Sequence, residues 1–325
     1  MKILHIVPGL EEPCNGIAVV AKLLAREQNA KLVDAKLISR AMVYDVDEVW
    51  VHSCWTPWVW RACRFAIAER KRLVRMLHGN LDPLRLAYHR WKKRLVGPIE
   101  RLFLRRTDNI VATCEAEEEW IHSYLGKRCP PIKITDIKRF FDFSRVEEGN
   151  GCRVEREDRV EGEISGHKAH KERKRDGMLH FLYLGRRHPL KGLEHLEKAV
   201  EQISSVPHSP FSVPPQLKVV SNAFGEEKEK VWEWCDVLVL PTLSENFGLV
   251  IAEALEQGKR VITTDGAPAW GDGLSRVEHV ERVDGELWSG YGGRLIYIRG
   301  YRNGSSEDRV RLLKDAIVSL ANLER

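Results

Sequence analysis

The stretch PTLSENFGLVIAEALEQG, from Pro241 to Gly258, decides the fold. An apolar run, Val237-Leu238-Val239-Leu240, leads into it. That run is short, rich in valine and leucine and bounded by Pro241, so it reads as a buried strand. Ser244, Glu245 and Asn246 are cap-type residues, and a helical stripe follows at Phe247, Val250, Ile251, Ala254 and Leu255. Gly258 ends the stripe. The stretch is therefore a strand, a tight turn and a helix, with Glu245 at the turn and Glu253 two turns into the helix. A helix N-terminus with free N–H groups beside an acid suits a polyhydroxylated, negatively charged ligand. An ordinary capped helix of an α/β domain fits this stretch equally well when it is read alone.

Upstream, LHFLYL (Leu179 to Leu184) reads as another buried strand. It runs into Gly185-Arg186-Arg187-His188-Pro189-Leu190-Lys191-Gly192, and a helix follows from Leu193 to Ile203. Arg186 and Lys191 then flank the strand end and the helix start. A guanidinium, an ammonium and a helix N-terminus together make a diphosphate clamp. Two solvated cations on a loop are the plainer alternative. Strands are expected from Gln216 to Val220 and from Arg260 to Thr264, with a helix from Gly225 to Trp234. Between Trp270 and Gly304 the glycine-rich sequence gives no clear element. From Glu307 to Leu323 a terminal helix carries Val310, Leu313, Ala316, Ile317 and Leu320 on one face.

The first half repeats the alternation. Residues 2–7 read as a strand, residues 8–16 as a loop and residues 17–26 as a helix. No G-x-G-x-x-G is present, so a dinucleotide site is not indicated. Asn15 and Gly16 fall at the helix start, where a glycine lets backbone approach a ligand closely. Further strands are expected at 31–38, 48–52, 73–77, 109–113 and 132–134, with helices at 58–69, 83–106 and 115–124. Such alternation predicts parallel sheets with helices on both faces, and ligands beyond the carboxyl ends of the strands. Two of those ends carry polar chemistry: His52-Ser53-Cys54-Trp55, and His78-Gly79-Asn80-Leu81-Asp82. A histidine or an acid there binds hydroxyls or handles protons, although a lone histidine is more often structural. From Pro83 to Arg106, Leu84, Ala87, Trp91, Leu95, Ile99 and Leu102 fall at helical spacing among eight basic residues and one acid, Glu100. Gly97-Pro98 is expected to kink or split this helix. A basic amphipathic helix suits an anionic membrane surface, and a packed helix with a solvated basic face is the alternative.

Composition narrows the function classes. The 325 residues suffice for two domains, and 43% hydrophobic content supports real cores. A formal net charge of +5 with no nucleic-acid motif gives no reason to expect a nucleic-acid partner. Seven scattered cysteines without C-x-x-C spacing fit reduced thiols better than a disulfide framework or a zinc site. No apolar run reaches the ~20 residues of a membrane span, and the opening residues read as a strand rather than a secretion signal. A soluble cytoplasmic protein is expected. Residues 145–176 hold dense mixed charge and almost no large apolar side chains, which predicts a flexible insertion without an active-site role.

Taken together, the motifs resemble those of GT-B-fold, retaining glycosyltransferases of family four, of the glycogen-synthase-like and lipopolysaccharide-core or polysaccharide types. Glu245 and Glu253 match the family's E-x7-E motif in SENFGLVIAEAL. LYLGRRHPLKGLEHL matches its phosphate-binding segment, and HGNLDP with ATCEAEEEWI is similar to its acceptor-domain pattern. The resemblance implies an α/β chain of two Rossmann-like, doubly wound domains facing a central cleft. Residues 1–143 would form the acceptor domain, 144–177 a charged linker and 178–304 the nucleotide-sugar domain. Residues 305–325 would form a helix packing back toward the first domain.

The resemblance also implies the site. Arg186 and Lys191 would neutralise the donor diphosphate. Glu245 would contact the donor sugar, helped by the backbone of Asn246, Phe247, Gly248 and Leu249. Glu253 would hold the ribose, Gly16 would approach the diphosphate, and Asn15, His78 and Asp82 would form the acceptor side, with His78 near the anomeric carbon. Glu245, His78, Arg186 and Lys191 are thus the expected catalytic group. The implied co-substrate is a nucleotide-sugar, a UDP-sugar before GDP or ADP, with no further cofactor. No D-x-D motif stands at a strand end, so no metal is expected. The implied acceptor is an envelope glycolipid or polysaccharide at the inner face of the cytoplasmic membrane. Three departures leave alternatives open: a shortened section before Asp236 where the base would be read, Thr135-Asp136-Ile137-Lys138-Arg139 in place of an N-G-V-D type segment, and the long charged linker. A catalytically weakened GT-B protein that binds a nucleotide-sugar or a partner remains a second reading, and a nucleotide-sugar epimerase a third.

Overall fold

In the first half, apolar β-branched runs become the strands of one parallel sheet. Its strands are β1 (Ile3–Val7), β2 (Lys31–Asp34), β3 (Glu48–His52), β4 (Arg72–Met76), β5 (Asn109–Ala112) and β6 (Ile132–Ile134). They lie in the order β2-β1-β3-β4-β5-β6, every pair parallel. This computed structural model describes residues 1–13, 15–88, 90–144, 178–205, 211, 213–272, 274–276, 287–292 and 294–322. The charged insertion expected at 145–176 lies outside the described residues.

Four of the connecting helices begin where a capping side chain supplies an acceptor. Asn15 caps α1 (Gly16–Glu27), Ser39 caps α2 (Arg40–Tyr44), Thr56 before Pro57 caps α3 (Pro57–Ala68), and Asp82 before Pro83 caps α4 (Pro83–Ala87). A side-chain oxygen at that position satisfies an orphan N–H, and proline at the first helical position lacks a donor that would have had no partner. Two more helices follow, α5 (Arg90–Leu104) and α6 (Glu115–Leu125). The break expected at Gly97-Pro98 falls instead at Tyr88, whose backbone is extended, and Pro98 lies inside α5. Pro98 is on the exposed face, so the carbonyl that it deprives of a partner can take water. Gly97 faces inward, and its carbonyl accepts from the Tyr124 hydroxyl at 3.2 Å.

α5 turns Gly97, Glu100 and Leu104 inward and keeps most of its basic residues outside. Glu100 and Gly97 are buried, whereas Trp91, Leu95, Ile99 and Leu102 are exposed. Glu100 pairs with the buried Arg75 of β4, and its other oxygen accepts from the Trp55 amide and the Trp60 indole. The one acid of this basic helix is therefore its anchor.

The second half builds a sheet from β7 (His180–Leu184), β8 (Gln216–Val220), β9 (Val237–Leu240), β10 (Arg260–Thr264), β11 (Ser275–Arg276), β12 (Leu287–Gly290) and β13 (Leu295–Ile298). The order is β11-β12-β13-β10-β9-β7-β8, parallel except for the pairings of β12. The glycine-rich region that gave no clear element thus holds three strands. Its helices are α7 (Leu193–Ser204), α8 (Gly225–Trp234), α9 (Leu249–Glu256) and α10 (Ser306–Asn322). α10 lies mainly on α7 and β13 of its own domain, a correction to the expected return toward the first domain. Its Val310, Leu313, Ala316, Ile317 and Leu320 stripe is buried there, within the same core as the α7 face. Residues 138–143 touch both halves. Arg139 pairs with Glu27 of α1, whereas Phe141 stacks on Phe247, Phe143 meets Trp270, and the Lys138 ammonium donates to the Ala269 carbonyl.

Both sheets are doubly wound, and both have a switch point where successive connections turn in opposite directions. In the first it lies between β1 and β3, in the second between β7 and β9. Loops at such points diverge and leave a crevice at the carboxyl ends of the strands.

Candidate active site

The loops after β7 and β9 flank the second switch point and are bonded to each other. The Leu190 carbonyl accepts from the Leu243 amide at 2.9 Å and from the Thr242 hydroxyl at 3.1 Å. Gly192 is left-handed, and a Cβ there would stand 2.0 Å from the Pro241 carbonyl oxygen. This close seating brings Lys191 to Glu245: the ammonium donates to Oε2, while Oε1 accepts from the Asn246 amide at 3.1 Å. Arg85, from α4 of the first domain, lies 3.8 Å from Oε1. Burial by itself would raise the Glu245 pKa, but Lys191 and Arg85 outweigh it and hold the carboxyl below its ordinary range.

The cap-type residues before α9 do not cap it. Gly248, left-handed, is the N-cap, and the helix starts at Leu249. Ser244 and Asn246 reach the first domain instead. Ser244 donates to Asp82 at 2.6 Å, and the Asn246 side chain lies 3.0 Å from the Thr113 hydroxyl. Phe247 is buried against Phe141 and Trp270, and its carbonyl accepts from the Trp270 indole. Only its backbone is available to a ligand. Gly16 faces α9: a Cβ there would meet the Leu249 side chain at 3.3 Å. Asn15 spends its amide on the Pro8 and Gly9 carbonyls, which shapes the loop before Gly16.

Across the seam stands the turn after β4. His78 and Gly79 are both left-handed, with φ of 54° and 68°. Glu117, fully buried on α6, accepts from the Gly79 amide at 2.6 Å and from the Thr113 amide at 2.9 Å. Burial raises its pKa despite these bonds. Asp82, expected on the acceptor side, is fully buried. It caps α4, accepts from Ser244 and pairs with Arg302. Its oxygens hold the two domains together. Glu253 pairs with Lys228 of α8 at 2.7 Å, and Arg186 is exposed at the β7 end, so neither is drawn into the Lys191–Glu245 contact.

Four participants were not anticipated: Arg85, Ser244, Thr113 and Arg302. Arg302 comes from the unreadable glycine-rich region, and Arg85 was one cation among many on a helix. A row of histidines was also missed. Gln28, His5, His52 and His78 run in a chain of three hydrogen bonds, each 2.9 Å. Burial lowers the pKa of His5 to about 4, and burial together with neighbouring charge lowers that of His78 to about 3 and that of His52 well below its usual value.

A cavity of about 340 Å³ opens elsewhere on the seam, lined by Cys114, Glu115, Glu119, Asp265, Asp272 and Arg299. Its acids outnumber its one cation, so it is not suited to a diphosphate. Among the described residues no group of His, Cys, Asp and Glu is arranged to hold a metal ion, and no helix is long and apolar enough to cross a membrane.

Two doubly wound domains that meet at the carboxyl ends of their strands, each with a switch point there, define a GT-B-type glycosyltransferase fold. The sequence model of Glycosyltransferase Family 4 matches residues 11–145, and that of Glycosyl transferases group 1 matches residues 178–279. Together the matches span well over half of the chain, which belongs to the group 1 family of GT-B glycosyltransferases. No curated protein matches it in sequence.

Solved structures agree on the fold. HepE from Anabaena, in complex with UDP and glucose, is 13% identical with a TM-score of 0.55, over 99% of this chain and 95% of that one. The α,α-trehalose 6-phosphate synthase of Burkholderia multivorans is 11% identical with a TM-score of 0.56, over 98% and 90%. Sucrose-phosphate synthase from Thermosynechococcus elongatus is 14% identical with a TM-score of 0.52, over 83% of each chain.

Proposed function

We propose that the chain transfers a sugar from a nucleotide-sugar, a UDP-sugar before others, to a glycolipid or polysaccharide acceptor, with retention of configuration and without a metal ion. The observation that carries this reading is the Lys191–Glu245 pair at the second switch point, ahead of the α9 N-terminus and within reach of Arg85 across the seam. As the glycosidic bond of the donor breaks, negative charge gathers on the diphosphate and positive charge on the sugar ring. Lys191, Arg186 and the backbone before α9 would meet the first, and Glu245 the second and the sugar hydroxyls. Such groups are most effective where they are held in advance of the reaction, as the bonded 189–192 and 241–245 loops hold them. Glu253 would bind the ribose on giving up Lys228. HepE bound to UDP, and a retaining trehalose-6-phosphate synthase of the same fold, support the donor class and the stereochemistry.

The test is nucleoside diphosphate release across a panel of nucleotide-sugars and glycolipid acceptors. Release with one donor, abolished in Glu245→Ala and in Arg186→Ala, is the expected result. Tight nucleotide-sugar binding with no turnover against any acceptor would instead support a binding protein.

The same reading places the enzyme on an anionic membrane. Trp91 and Leu95 are 63% and 70% exposed on α5, one turn apart, and basic residues surround them. Apolar side chains in a basic setting fit the boundary between acyl chains and acidic headgroups. Flotation with phosphatidylglycerol vesicles, and not with phosphatidylcholine vesicles, is expected. A Trp91→Glu/Leu95→Glu variant that still floats would rule this surface out.

A further inference from the structure

The histidine row joins the half-buried rim of the first domain to the seam. In register, β1 places His5 opposite Trp50, and His52 lies two residues further on the same face of β3. β3 places His52 opposite Met76, and His78 lies two residues beyond that. Each step therefore moves one strand across and two residues up, so the three rings form a diagonal row, their centroids 5.1 and 5.2 Å apart. Gln28, which ends α1, closes the outer end through its side-chain oxygen and His5 Nε2. His5 Nδ1 meets His52 Nε2, and His52 Nδ1 meets His78 Nε2. The last nitrogen, His78 Nδ1, has no hydrogen-bond partner among the described residues.

A bond between two ring nitrogens needs one donor and one acceptor, and a neutral imidazole has a single N–H. The row therefore has two self-consistent arrangements. With the Gln28 carbonyl accepting, each Nε2 carries the proton, each Nδ1 accepts, and His78 turns a bare Nδ1 to the seam. With a donor in place of that carbonyl, every proton sits on Nδ1 and His78 presents an N–H. No intermediate arrangement satisfies all three bonds, and a buried donor or acceptor left without its partner is unfavourable in a dry interior.

We propose that Gln28, His5 and His52 are positioning residues that fix which nitrogen of His78 carries the proton, so that His78 offers the seam an acceptor. An acceptor there suits a hydroxyl of the bound sugar or of the incoming nucleophile, and the inference rests on the transferase reading in that respect. The chain of bonds also conducts in a balanced way. A proton taken up at His78 Nδ1 is matched by transfer of its Nε2 proton to His52, of the His52 Nε2 proton to His5, and by release of the His5 Nε2 proton to water as the Gln28 amide turns. No net charge is left in the core.

Two substitutions at Gln28 separate the arrangements without touching the seam. Gln28→Glu presents only an acceptor, and Gln28→Lys only a donor. ¹⁵N-histidine spectra at pH 8, where His5 is neutral in both, report the tautomer directly. Gln28→Glu should keep the His78 proton on Nε2 and hold kcat within about twofold. Gln28→Lys should move it to Nδ1 and lower kcat about tenfold or more, with donor KM little changed. Identical His78 spectra in the two variants would overturn the coupling. A reversed tautomer with unchanged kcat would overturn the positioning role and leave the transferase reading intact. If no donor or acceptor supports turnover at all, the transferase reading fails on its own, and the spectra still decide whether Gln28 governs His78.

Discussion

Arg75 Nη2 and Glu100 Oε1 are 2.8 Å apart, and neither side chain has any exposed surface. The pair ties α5 to β4, and it holds the β3–α3 loop as well. Arg75 donates to the Ser53 carbonyl at 2.7 Å, and Glu100 accepts from the Trp55 amide at 2.9 Å. Ser53 and Trp55 both have φ of 70°, unfavourable for residues with a Cβ. Removing one partner leaves a buried charge unpaired, which costs about 3–5 kcal/mol. Glu100→Ala should therefore lower the thermal midpoint sharply. The double variant Arg75→Met/Glu100→Leu should be more stable than Glu100→Ala, because it leaves no lone charge. Calorimetry on the two decides it, and a double variant less stable than the single would sink the argument.

Gly192 offers a second test of packing. Its φ is +65°, and the nearest atom to an added Cβ would be the Pro241 oxygen at 2.0 Å. A left-handed residue with a Cβ costs ~1–2 kcal/mol before any clash. Backbone, unlike a flexible side chain, cannot step aside cheaply. Gly192→Ala should thus separate the 189–192 turn from the 241–245 loop and part Lys191 from Glu245. UDP affinity should fall about tenfold or more, against little change for Gly126→Ala, where nothing lies within 4 Å of the added atom. Isothermal titration on both variants makes the comparison.

The histidine row gives the chain a defined response to acid. In the fold, His5 takes up its proton near pH 4 and His78 near pH 3, whereas in the unfolded chain both do so near 6.5. Between these values the unfolded state binds more protons, so stability rises with pH. The contribution is complete above about pH 6.5 and is lost as pH falls toward 4, at about 1.4 kcal/mol per pH unit for each histidine. Urea unfolding from pH 6.5 to 4.5 should show this slope, and His5→Gln should reduce it by about one histidine's share. An unchanged slope in His5→Gln would mean that the row is not buried neutral.

How much of this was legible in the sequence depended on the range of the interactions. β-branched runs ending in Gly, Pro or Asn gave the strands and the doubly wound class, because a buried parallel strand is a local pattern. The Lys191 and Glu245 motifs could be read for the same reason: each is a short strand–turn–helix. What escaped was set by pairing across the sheets and the seam. His5, His52 and His78 are single histidines far apart in sequence, and only the register β1-β3-β4 makes them a row. Asp82 looked like an open acid at a strand end, but Ser244 and Arg302 arrive from more than a hundred residues away to occupy it. The α9 cap was misread because Ser244 and Asn246 have the chemistry of caps and spend it on the other domain.

Lys191 and Glu245 together yield the last prediction. The ammonium that would neutralise a diphosphate is already paired with the carboxylate that would hold the sugar. A diphosphate entering beside Lys191 must compete with Glu245, whose depressed pKa keeps it charged at neutral pH. Replacing that carboxylate with a neutral amide should release Lys191. Glu245→Gln should therefore bind UDP several-fold more tightly than the wild type, while sugar transfer falls by two orders of magnitude or more, since the charge that meets the sugar is gone. Lys191→Ala should lose both UDP affinity and transfer. Titration calorimetry with UDP, set beside diphosphate-release rates, checks the pair of expectations. Weaker UDP binding in Glu245→Gln would show that the ion pair prepares Lys191 for the diphosphate instead of competing with it.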